Sequence, residues 1–361
     1  MYHLNDIIPG GIDLNLIPDV SFNPDGTLFA VTYLNSNEVV IFDARTRSPV
    51  RVFKNPEADF DSPHGVLLTE NHLIVSNVHG MTRPSSFTVY NLNASSGEPV
   101  SVFITPHKYL REAHSLAIYN NVIVVTYCHN TEGSGAVVSY QFDDNAGVIQ
   151  APLDILQDCF ENFGDPKGIA FSKDGTSVFL TYVTQKKMRG LPKYTRRMKA
   201  TWVAWQERSL KEFFQYIREK IDNRASEAQP ANRNIYNGIA IFGIDNAGQF
   251  TEQPTSVFAR ETFCRLENID IVDDTVVICD TINGSVCLYD FKKDPQLKAP
   301  EHIITENISL PHGAKLSPDK SMLVVTNYGL KVANQVIHWR TPSSGNNRGV
   351  LVYDLKTVKV D

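Results

Sequence analysis

The chain has 361 residues, 42% hydrophobic and 20% charged, with a net charge of −6: a globular composition with length for a large core. The acidic balance excludes a general polyanion binder, and no apolar run approaches the roughly 18 residues of a membrane span. Five cysteines without CxxC spacing argue against a disulfide framework or a zinc knuckle.

Met1 to Asp6 lacks the basic start and apolar core of a signal peptide. The sequence therefore predicts a reducing, cytoplasmic setting, with Cys279 and Cys287 as buried free thiols in apolar strands.

One pattern then recurs along the chain. A turn leads into a short apolar strand, a tight turn follows, and a Val/Ile-rich strand ends at Thr, Ser or Cys. The first copy runs from Ile17-Pro18-Asp19 through the turn Asn23-Pro24-Asp25-Gly26 to Val31-Thr32-Tyr33, with later strands at Glu38–Asp43 and Val50–Phe53. The second starts at Pro63-His64-Gly65 and passes through Val75-Ser76-Asn77. The third starts at Glu112-Ala113-His114 and continues to Thr126-Tyr127. The fourth starts at Asp165-Pro166-Lys167-Gly168, with the turn Lys173-Asp174-Gly175. The fifth starts at Glu267-Asn268 and reaches Ile278-Cys279-Asp280. The sixth starts at Pro311-His312-Gly313 and reaches Thr326-Asn327.

Aligned on Asp19, His64, His114, Lys167, Asn268 and His312, the steps are 45, 50, 53, 101 and 44 residues. Four of them match the period of about 40–50 residues of a four-stranded propeller blade. Such strands cannot bury their faces alone, and radial stacking buries them. The sequence thus predicts an all-β, six-bladed β-propeller over residues 1–361 rather than a β-sandwich. Residues near Tyr2 to Ile8, or Thr357 to Val360, would complete the sixth blade, and the pattern does not choose between them.

The long step is read as an insertion in the fourth blade, residues 186–233, rather than a seventh blade. Trp202, Leu210, Phe213, Phe214, Ile217 and Ile221 recur at helical spacing and predict an amphipathic helix over 201–223. Just before it, Lys186, Lys187, Arg189, Lys193, Arg196, Arg197 and Lys199 form a basic run without an acid. That run is either a solvated loop or a site of anion or acidic-partner capture; nucleic acid is disfavoured because the patch is small.

Propeller geometry sorts the polar residues. The residues just before each first strand and just after each second strand share one mouth of the channel. His64, His79, His114, His129 and His312 map there, half of the ten histidines. Lys167, Asn77, Asn327 and Tyr127 join them, as does the loop Tyr328 to Asn347 with His338 and Arg340. Converging imidazoles can ligate a divalent metal, act as general acid and base, or bind anions when protonated. They can equally cap backbone groups of the neighbouring blade. No G-x-S-x-G elbow, Gly-rich phosphate loop or H-E-x-x-H signals other chemistry.

The copies Pro63-His64-Gly65…Val75-Ser76-Asn77 and Pro311-His312-Gly313…Ser317-Pro318-Asp319…Val324-Val325-Thr326-Asn327 resemble NHL-type and YVTN-type propellers, and share the look of the lactonase-like (gluconolactonase-like) group. The resemblance covers the repeats along nearly the whole chain except the insertion. Six-bladed lactonase-like enzymes carry a divalent metal on Glu, Asn and Asp in the channel. The resemblance implies Asn268 and Asp280 as ligands, with histidines where an acidic ligand would stand.

Two functions follow as expectations. In the first, an enzyme or binding protein takes a small anionic molecule at the mouth. His64, His114 and His312 would supply ligation or acid–base chemistry, Lys167 with Arg340 or the basic run would hold the negative group, and the insertion would close as a lid. The reaction would be hydrolysis, elimination or isomerisation. In the second, the ring is a non-catalytic scaffold that docks a protein partner through residues 186–233.

Overall fold

The computed structural model describes residues 3–9, 16–54, 60–79, 83–95, 97–106, 110–129, 135–157, 164–183, 237–260, 262–333, 336–342 and 348–355. These residues form six four-stranded antiparallel sheets and one hairpin, with no α-helix among them. The chain is an all-β, six-bladed β-propeller. The insertion 186–233, including the helix predicted over 201–223, lies outside the described residues.

Blade one comprises β2 (Val20–Phe22), β3 (Leu28–Tyr33), β4 (Glu38–Asp43) and β5 (Pro49–Lys54). Blade two is β6 (Pro63–Leu68), β7 (His72–Asn77), β8 (Ser86–Asn91) and β9 (Ser101–Ile104). Blade three is β10 (Arg111–Tyr119), β11 (Val122–His129), β12 (Ala136–Asp143) and β13 (Val148–Leu156). Blade four is β14 (Asp165–Phe171), β15 (Ser177–Val183), β16 (Gly238–Gly243) and β17 (Ser256–Ala259). Blade five is β18 (Leu266–Val272), β19 (Thr275–Asp280), β20 (Ser285–Asp290) and β21 (His302–Ile304).

Blade six settles how the ring closes. It is built from β22 (Pro311–Leu316), β23 (Met322–Asn327) and β26 (Gly349–Asp354), with β1 (His3–Pro9) as its outer strand. The pairing His3↔Asp354 to Pro9↔Gly349 supplies the fourth strand from the N-terminal side. Thr357 to Val360 lies outside the described residues. A hairpin, β24 (Leu330–Ala333) and β25 (Val336–Pro342), projects between β23 and β26.

Burial follows the radius. The inner strands β6 and β7 are buried along their length, while the outer strands β5, β9 and β17 alternate or are exposed. Strands buried on both faces read as continuous apolar runs, which is why His72-Leu73-Ile74-Val75 shows no alternation. Among the described residues six large apolar clusters each span one blade–blade junction, and a small seventh gathers Leu310, Tyr328 and Leu330. One joins Ile74 and Phe87 of blade two to Ile123 and Tyr140 of blade three. Another joins Phe29 and Val31 to Val324 and Val352 across the closure. Each first strand touches the next, ending with β2 against β22.

Hydroxyls near the end of second strands latch the blades. Thr126 Oγ1 accepts from Ser115 N at 3.1 Å and donates to the Lys167 carbonyl of the next blade at 2.5 Å. Ser76 does the same between Gly65 N and the Ala113 carbonyl, and Thr32 donates to the His64 carbonyl. Blade five has Cys279 at this position, and Thr281 donates to the Pro311 carbonyl instead. The repeated Thr/Ser ending is thus a hydrogen-bonding requirement.

Candidate functional site at the channel mouth

Every first strand except β2 begins with a register shift against its neighbour: after Pro63, Ala113, Pro166, Leu266 and Pro311. The extra residue of each bulge is His64, His114, Lys167, Glu267 or His312. Bulges re-aim side chains, and here they turn five buried polar residues toward one another. Gly65 and Gly168 follow two of them because the adjacent blade fills the space of a Cβ. At Gly168 that atom would lie 2.5 Å from Ile269 N and 2.6 Å from Asn268 Cα.

The three predicted histidines meet. Ring centroids are 4.3 Å apart for His64 and His114, 5.2 Å for His64 and His312, and 5.1 Å for His114 and His312. His64 Nδ1 lies 2.9 Å from the His114 carbonyl, and His312 Nδ1 lies 2.7 Å from the Pro18 carbonyl. A carbonyl only accepts, so these nitrogens carry hydrogen and both Nε2 atoms keep a lone pair. Capping the next blade and converging on the axis are therefore done by the same rings. His114 Nδ1 is buried without a hydrogen-bond partner among the described residues.

Glu267 is the centre of the cluster. Its Oε2 stands 3.2 Å from His114 Nε2, 3.7 Å from Lys167 Nζ and 3.8 Å from His312 Nε2, and its Oε1 accepts from Arg265 Nε. Burial opposes its charge, yet Arg265, Lys167 and His114 hold its carboxyl well below the usual carboxylate range. Burial also opposes the charge on Lys167, but the Glu267 and Glu112 carboxylates push its pKa up, so it stays protonated. Burial lowers all three histidines, His312 to about 3, leaving neutral imidazoles. Tyr328 stacks on His312 with centroids 4.9 Å apart.

Backbone strain marks the same three strands. Ser62, Glu112 and Leu310, each two residues before a histidine, have φ of 60°, 58° and 64°. Non-glycine residues in the left-handed region cost about 1–2 kcal/mol apiece. The corresponding Ile17, Asp165 and Arg265 do not adopt it.

The other sequence-predicted residues sit elsewhere. Asn268 is buried and donates to Asp19 Oδ1 at 3.3 Å, one step below the histidines along β18. Asp280 accepts from the Cys264 and Arg265 amides and from Asn283 Nδ2. Asn77 and Asn327 play the same part in their blades, accepting from Asp61 N and Ser309 N. These second-strand ends thus brace the segment entering the first strand. Tyr127 shares a hydroxyl contact of 2.7 Å with Tyr140 inside the core. His79 contacts Asp61 Oδ2 at 3.3 Å and Ser86 Oγ at 2.9 Å. His129 ends β11 and Arg340 lies in β25.

Sequence reasoning missed Glu267, Arg265 and Tyr328. Aligning Leu266-Glu267-Asn268 on Pro311-His312-Gly313 and Pro166-Lys167-Gly168 would have placed Glu267 on the axis; the alignment on Asn268 was one residue late.

No family model matches the chain, and no curated protein matches it in sequence. Among solved structures, it is similar to a luciferin-regenerating enzyme, at 9% identity and a TM-score of 0.60, covering 99% of this chain and 96% of that one. It is also similar to a functionally unknown protein from Desulfotomaculum acetoxidans DSM 771, at 14% identity and a TM-score of 0.53, covering 93% of this chain and 88% of that one. Both likenesses show the shared fold.

Proposed function

We propose that the channel mouth takes a small anionic molecule and acts on it by hydrolase, lyase or isomerase chemistry. The observation that carries this reading is the set of neutral imidazoles converging beside buried, charged Lys167, Arg265 and Glu267. Burying several charges costs stability that apolar packing would not. Perturbed groups gathered at a mouth are what catalytic sites need. A protein-docking ring has no use for them at its axis.

The residues divide by charge state. Lys167 and Arg265 supply the positive field for the negative group, in a site where desolvation strengthens it. The lone pairs of His64 and His312, fixed in orientation by the next blade, would serve as proton acceptors or, alternatively, as ligands. Glu267 holds the two cations in place. The likeness to a luciferin-regenerating enzyme is one of fold, and the histidines stand in place of the ligand set of Asn268 and Asp280 that the lactonase-like resemblance implies. A panel of small carboxylates and phosphate esters, followed by proton NMR for binding and turnover, tests the reading. Binding lost in His64→Ala, His114→Ala and His312→Ala with melting retained supports it; binding unchanged in all three refutes it.

A further inference from the structure

The histidines and Glu267 face one another, with His114 and His312 Nε2 at 3.2 and 3.8 Å from the carboxylate. His312 Nε2 carries a lone pair, because Nδ1 donates to the Pro18 carbonyl, yet it lies 3.8 Å from a carboxylate oxygen. That oxygen, Glu267 Oε2, is buried beside His114 Nε2 at 3.2 Å and Lys167 Nζ at 3.7 Å. His114 also buries a nitrogen without a partner. The nitrogens of His64, His114 and His312 lie within 4.8 Å of one another. Three of the eleven non-glycine residues with left-handed φ among the described residues stand two positions before these histidines, and strain of this kind gathers at functional sites.

We propose that His64, His114, His312 and Glu267 hold a divalent transition-metal ion. This deepens the reading of the mouth as an anion site and rests on it, by naming the ion that would share the anion with Lys167. Three imidazoles and a carboxylate suit zinc, iron or manganese rather than calcium or magnesium. Nitrogens around zinc at about 2.0–2.1 Å are about 3.4 Å apart, so loading draws the rings inward by about an ångström. The carbonyl of Pro18, and that of His114 for His64, are the outer partners that orient ligand histidines. With Lys167 and Arg265 balanced by Glu267 and Glu112, the ion leaves positive charge that an anionic molecule neutralises.

The test uses the full chain, stripped with chelator and titrated separately with Zn²⁺, Mn²⁺ and Co²⁺, followed by calorimetry and, for Co²⁺, visible absorption. The expected result is one ion per chain, a ligand-field band with Co²⁺, and affinity lower by about 10- to 100-fold in Glu267→Gln and lower still in His64→Ala and His312→Ala. Lys167→Met should keep the metal and lose the anion, so failure of the metal centre and failure of the anion site read out separately. No saturable binding of any of the three ions to the wild-type chain at 100-micromolar-order concentration, about 10⁻⁴ M, overturns the proposal. So does undiminished binding in the histidine variants, and the wild-type Co²⁺ spectrum decides the matter if a variant fails to fold.

Discussion

Asp19 gives the sharpest quantitative expectation. It is buried in the channel wall, accepting from Val66 N at 3.2 Å and Asn268 Nδ2 at 3.3 Å. Burial raises its pKa from 3.8 to about 7, against the pull of Lys315. Because the folded value exceeds the unfolded one, the native state holds the proton longer. Stability from this group is greatest below about pH 4 and is lost as pH rises to about 7. Between pH 5 and pH 8 the loss spans two pH units, about 2.7 kcal/mol at 1.36 kcal/mol per unit. Asp19→Asn removes the titration while keeping the shape: its oxygen can face Val66, and its amide can face Asn268, whose Oδ1 has no partner among the described residues. Lys315 retains Asp270 at 3.1 Å. Guanidinium unfolding of both proteins at pH 5 and pH 8, followed by circular dichroism, should show the variant gaining about 2.7 kcal/mol on wild type as pH rises. Titrating groups that do not interact with Asp19 cancel in that double difference. A difference near zero, or a relative loss at pH 8, refutes the burial argument.

Other expectations follow from the packing. Thr126→Val should lose about 1–3 kcal/mol in the same unfolding assay, since it orphans the buried Ser115 N–H and the Lys167 carbonyl; a change under about 0.5 kcal/mol would deny the latch its role. Gly168→Ala should destabilise by about 1–3 kcal/mol, because the added carbon meets backbone atoms that cannot give way; a stable variant would show that the blades part more easily than this. Removing residues 1–9 should lower the melting midpoint and produce concentration-dependent association, by exposing the edge of β26; an unchanged monomer would mean the N-terminal strand is not needed for closure.

The repeat was readable because turns and apolar strands leave local marks. The spacing from Asp19 to His64 to His114 to Lys167 carried the blade count, and the Thr/Ser endings marked the latches. The histidine cluster was readable because three copies share the same residue at the same place. Glu267 was not, because its neighbour Asn268 is also polar, and only the bulge after Leu266 decides which of the two turns to the axis. Asn77, Asn327 and Asp280 end second strands, as the repeat pattern places them. Their side chains turn to amides of the preceding loop, a choice fixed by tertiary contacts. Arg265 and Tyr328 reach the site from loops, where no periodicity points.

The most direct measurement is the affinity of the strongest-binding small anion by calorimetry, in wild type, Lys167→Met and Lys173→Met. Lys173 is an exposed lysine paired with Asp273 at 2.8 Å, well outside the channel mouth. The account predicts a fall of at least about tenfold, about 1.4 kcal/mol, in Lys167→Met alone, with its fold retained. Equal affinity in all three proteins, or equal losses in both variants, would contradict it.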